Sequence, residues 1–64
     1  MPSPQWQRDL AALLARVPYV GHGGLSALAR DLGVSRDTLY SWHRGRRAPG
    51  AENRALLEAK RREG

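Results

Sequence analysis

Between Leu25 and Arg44 (LSALARDLGVSRDTLYSWHR) a single glycine, Gly33, separates two short runs of helically spaced apolar residues. No other stretch restricts the fold as much. Leu25, Leu28, Ala29 and Leu32 mark one buried face of a short helix. Ala29 stands where a second helix would cross, because a larger side chain there would push the two axes apart. Gly33 ends the helix, since glycine adopts the left-handed conformation without a Cβ clash. Val34 is the apolar residue of the turn, and Ser35 is placed to cap the next helix by accepting from a backbone N–H. Leu39 and Trp42, three apart, give that second helix its own inner face. Arg36, Asp37, Tyr40, Ser41 and Arg44 are left on the outside.

The flanking segments are also helical in pattern. Ser3 and Pro4 read as an N-cap and first helical position, and Trp6, Leu10, Leu13, Leu14 and Val17 then recur at helical spacing until Pro18 stops the run. Residues 18–24 (PYVGHGG) are too rich in glycine and proline for regular structure, and residues 45–50 (GRRAPG) form a second, basic loop. A last helix is expected over about 51–61, with Ala51, Ala55, Leu56 and Ala59 as a weak apolar face and Lys60, Arg61 and Arg62 at its negative end. There is no alternating strand pattern, repeat or low-complexity tract. The expected fold is all-α, a compact bundle of four helices forming one domain over residues 1–64. Its expected core is Leu10, Leu13, Leu14, Val17, Leu28, Ala29, Leu32, Val34, Leu39, Trp42 and Leu56.

A chain of 64 residues without cysteine has neither disulfides nor thiolate metal sites to support its small core. No apolar run approaches the roughly 20 residues of a membrane span, and MPSPQWQRDL lacks the order of a signal peptide. The expectation is a soluble cytoplasmic protein of a bacterial or phage-infected bacterial cell.

The formal charge is +5, from 11 basic and 6 acidic side chains. Ten of the basic residues are arginine, whose planar fork binds phosphate and guanine edges bidentately. A GC-rich coding sequence also enriches arginine, so location matters more than number. Residues 25–50 hold five arginines against two aspartates, whereas each flanking segment carries a net charge of only +1. The excess therefore sits on the two-helix segment and the loop after it, as an electrostatic footprint for nucleic acid would.

Ala29, Gly33, Val34, Ser35, Leu39 and Trp42 together resemble the helix-turn-helix of the Cro and phage-repressor superfamily. Trp42, Gly45 and Pro49 continue the similarity past the second helix, and Gly23 and Gly24 before Leu28 and Ala29 are similar to the small Cro-like antitoxin regulators. The resemblance covers roughly residues 23–57. It implies a lambda repressor-like DNA-binding domain, with its motif over residues 25–44 and the second helix entering the major groove. One departure is Leu25, where many members carry a glutamine-like phosphate donor. Ser26 or the N–H groups near Gly24 would have to substitute.

On this reading Arg36, Asp37, Tyr40 and Ser41 are the candidate base contacts. Ser26, Ser35, Arg44, Arg46 and Arg47 are the candidate phosphate contacts. Plainer roles compete: Arg36 stacking on Tyr40, Asp37 serving the helix dipole or an arginine, and the arginine cluster acting as a solvated face. Trp42 belongs to the core rather than to a base-stacking platform. His22 and His43, 21 residues apart and without cysteines or paired carboxylates, suggest no metal site. Scattered carboxylates, unaccompanied serines and the short run GHGG suggest neither catalytic residues nor a cofactor.

The expected function is that of a sequence-specific double-stranded DNA-binding regulator, a homodimeric repressor of phage, plasmid or prophage type on a palindromic operator. Leu57, Tyr19, Val20 and the last helix are candidates for its dimer surface. The alternatives are an antitoxin-like module that binds a toxin and autoregulates its operon, or a DNA-bending recombination accessory factor.

Overall fold

A computed structural model describes residues 3–63. The chain forms four helices, α1 (Gln5–Leu14), α2 (Gly24–Leu32), α3 (Arg36–His43) and α4 (Ala51–Glu63), with no strand among the described residues. The all-α class and the four-helix bundle expected from the sequence are thus present. α1 packs against all three other helices, most extensively α4, while α2 packs against α3 and also touches α4. Among the described residues α3 packs against α1 and α2 and not against α4. None of these helices is long and apolar enough to cross a membrane.

Leu10, Leu13, Tyr19, Leu28, Ala29, Leu39, Trp42 and Leu57 form the core, with Trp6, Leu14, Leu25, Ala27, Leu32 and Val34 half-buried against it. Leu13, Leu28, Leu39 and Leu57 are wholly buried. Each such leucine contributes on the order of 1.5–3 kcal/mol through removal from water. Leu25 spends its side chain on this core.

Three local expectations need correction. Pro4, with φ −58° and ψ 154°, is itself the N-cap of α1, because its carbonyl accepts from Gln7 N–H at 3.0 Å. Ser3 therefore lies one residue too early to cap. At the other end the helix closes at Leu14, not Val17. Val17 precedes proline, which disfavours helical backbone there, and the Arg16 carbonyl turns the chain by accepting from the N–H groups of both Tyr19 and Val20. Val17 is consequently 80% exposed and lies outside the core.

α4 carries the third correction. It runs to Glu63, and its buried leucine is Leu57 rather than Leu56, which is 46% exposed. The inward face follows Asn53, Leu57 and Lys60, about 140° from the alanine face read in the sequence. Its rotation is held by polar contacts: Arg16 donates to the carbonyls of Lys60 and Arg61 at 3.0 and 2.9 Å, and Arg61 Nε meets Asp9 Oδ1 at 3.2 Å. Asp9 is 1% exposed and also accepts from Gln5 Nε2 at 3.0 Å. With Tyr19 and Leu57 both in the core, neither is open to a second copy, and of the named dimer-surface residues Val20 remains exposed.

Candidate nucleic-acid interface

α3 is fixed at both ends by its own sequence. At its start Ser35 Oγ accepts from Thr38 N–H at 3.1 Å and donates to Thr38 Oγ1 at 2.7 Å, closing the cap. Asp37 in the first turn adds the charge that a helix N-terminus favours. The preceding turn is built by Gly33 at φ +76°, whose N–H meets the Arg30 carbonyl while Val34 N–H reaches back to Ala29 O at 3.0 Å. That pair of bonds is the Schellman arrangement, with Val34 tucked against the core as its apolar contact.

The same device recurs at the end of α3. Gly45, at φ +78°, donates to Trp42 O at 3.0 Å, and Arg46 N–H donates to Ser41 O at 2.9 Å. Arg47 N–H also points to Ser41 O, at 3.4 Å. The basic loop thus leaves the helix in a defined direction, with Arg46 and Arg47 both exposed. Gly45, directly after Arg44, is the sequence signal for this second cap.

The residues of α3 sort by angle. Leu39 and Trp42 are buried underneath, and Tyr40, Arg44 and Asp37 lie across the outer face. Tyr40 is 44% exposed, and the Arg44 guanidinium sits 5.8 Å from its ring centroid. The cation stacked on Tyr40 is therefore Arg44, not Arg36. Ser41 is half-buried at one edge of the outer face. Arg36 and His43, seven residues apart and so almost aligned, share the other edge.

That second edge borders a surface hollow of about 360 Å³ lined by Arg36, His43, His22, Ser26, the Tyr19 end of the loop and the start of α2. The structure thereby brings Ser26 and Arg36 to one place, while Asp37, Tyr40, Ser41 and Arg44 occupy the outer face and far edge, and Arg46 and Arg47 the loop beyond. Ser35 is exposed but has its hydroxyl engaged in its cap bonds. The proximity of His22 to Arg36 and His43 had no sequence signal. It depends on how residues 18–24 fold back.

That fold-back has two anchors. Tyr19 is buried and its hydroxyl donates to Asp31 Oδ2 on α2. Burial, and then the Asp31 carboxylate, push the Tyr19 phenol above its ordinary range, with Lys60 pulling the other way. The second anchor is Gly24, buried directly against the Tyr19 backbone.

No family model matches the chain, and no curated protein or solved structure does either.

Proposed function

We propose that the chain is a sequence-specific double-stranded DNA-binding regulator of the phage-repressor type, with α2, the Gly33–Ser35 turn and α3 as its helix-turn-helix. One observation carries this reading. α3 keeps Leu39 and Trp42 under it while Arg36, Asp37, Tyr40 and Arg44 stand exposed to solvent. A helix with an anchored inner face and an outer row of hydrogen-bonding groups suits the major groove, whose base edges present matching donors and acceptors.

In this proposal the first turn of α3 approaches the bases, where Arg36 would form a bidentate pair with a guanine and Asp37 would accept from a cytosine amino group. Tyr40 offers an apolar ring to a thymine methyl, and Ser41 a hydroxyl at the edge of the contact. Arg44, Arg46 and Arg47 take the flanking phosphates, with Ser26 doing so at the start of α2. Ser35 assists chiefly by holding the end of α3 in place. One such helix reads only a few base pairs. A homodimer on a palindromic operator, with half-sites about 34–36 Å apart, supplies the missing discrimination. Repression follows where the site overlaps a promoter.

Selection of bound duplexes from a random DNA pool tests the proposal. A palindromic consensus is the expected result. Bound DNA without a consensus points instead to a DNA-bending accessory factor, and no bound DNA at all points to a protein-binding module of the antitoxin kind.

A further inference from the structure

The two histidines of the chain are 21 residues apart in sequence, on the loop before α2 and at the end of α3, yet they line one hollow together with Arg36. Both are exposed. The hollow's other wall residues are glycines, Leu14, Leu25, Ser26 and Tyr19, so among the described residues no carboxylate lines it. His43 also borders a second hollow, lined by Ser3, Gln7, Leu10, Ala11 and Trp42, which holds no charged group. Among the described residues Arg36 has no ion-pair partner. Three groups that are or can become cationic therefore converge where the protein supplies no counter-anion.

From this convergence, and resting on the DNA-binding reading above, we infer that His22 and His43 are backbone-phosphate contacts that engage in their protonated form, making DNA binding tighten as pH falls. The geometry suits the role. A helix lying in the major groove has a phosphate strand along each edge, and Arg36 and His43 share the edge that faces His22. Arginine's longer side chain can pass that strand to reach a base, whereas a histidine at the same edge stops at the phosphate. A neighbouring phosphate favours the imidazolium, so the proton and the DNA bind with mutual assistance. Protonation would add up to two charges at the hollow, on a chain whose formal charge is +5 with both histidines neutral.

The two pH values of the test, 5.5 and 8.0, lie on either side of the ordinary value for an imidazole in general. Binding of a short mixed-sequence DNA duplex is measured against salt at both pH values, for the wild type and for the His22→Gln/His43→Gln double variant, with helicity checked by circular dichroism. The wild type is expected to bind more tightly at pH 5.5, with its log K against log salt slope steeper by about 0.9 for each histidine engaged. The double variant is expected to lose the difference between the two pH values. Equal wild-type slopes at both pH values, or a double variant that keeps the pH dependence, would overturn the inference while leaving DNA binding intact. Absence of binding at either pH would remove the DNA reading itself, and the histidine role with it.

Discussion

The carbonyl oxygen of Tyr19 lies 1.6 Å from where a Cβ on Gly24 would stand, with the Tyr19 carbonyl carbon at 2.6 Å. Both obstacles are backbone, so neither can rotate away. Gly24→Ala should force the loop off the start of α2 and destabilise the fold by about 1–3 kcal/mol or more. For a domain of this size each kcal/mol lowers Tm by about 4–8 °C. Gly50→Ser, placed in open space ahead of α4, serves as the control and should leave Tm unchanged or slightly raised. An unchanged Tm for Gly24→Ala would mean that the loop does not approach α2 as described.

Asp9 and Arg61 should respond very differently from the surface ion pairs. Arg61→Ala leaves a buried carboxylate with Gln5 as its remaining partner, and one of its oxygens, Oδ2, already lacks a hydrogen bond. A loss of about 1–3 kcal/mol in urea unfolding is expected. Arg62→Ala, which removes an exposed i,i+4 pair with Glu58, should cost no more than about 0.5 kcal/mol. Equal effects of the two variants would deny Asp9 its role in orienting α4.

The Tyr19 phenol is held above its ordinary value of 10.0, mainly by burial. The folded state therefore keeps this proton at a pH where the unfolded chain gives it up. Its contribution to stability is complete below pH 10 and declines as pH rises past 10 toward the folded-state value. Tyr19→Phe keeps the ring in the core but loses the bond to Asp31, at a cost of about 1 kcal/mol near neutrality. Unfolding followed between pH 8 and 11 should show a weaker alkaline decline in the variant than in the wild type. Parallel curves would remove Tyr19 as its source.

Arg36 and Arg46 are expected to fail in distinct ways. Arg36→Ala should cost roughly 1–3 kcal/mol on a selected site and relax preference at one base position. Arg46→Ala should weaken all duplexes about equally and reduce the salt slope by about one. Competition binding across single-base variants separates the two. Unchanged selectivity in Arg36→Ala would move that side chain to the phosphates, and an unchanged slope in Arg46→Ala would return it to solvent.

The ends and inner faces of α2 and α3 were legible because they depend on local chemistry. Gly33 must adopt a positive φ, Ser35 reaches only its own helix, and the spacings of Leu28 with Ala29 and of Leu39 with Trp42 each lie within one or two turns. The outward row from Arg36 to Arg44 followed by subtraction. α4 was less legible, since adjacent leucines in an alanine-containing helix leave its rotation open by one residue. Only packing could choose Leu57, and it did so through Arg16, Arg61 and the buried Asp9, all of which act between helices that are distant in sequence. The exclusion of Val17 is local instead, since the proline after it disfavours helical backbone and the Arg16 carbonyl takes up the N–H groups of Tyr19 and Val20. The sequence by itself determined the two-helix unit and its exposed row, because helix caps and 3.6-residue periodicity act over short range. The tertiary structure decided the rotation of α4, the burial of Asp9 and the meeting of His22, Arg36 and His43, because each requires segments far apart in the chain to pack together.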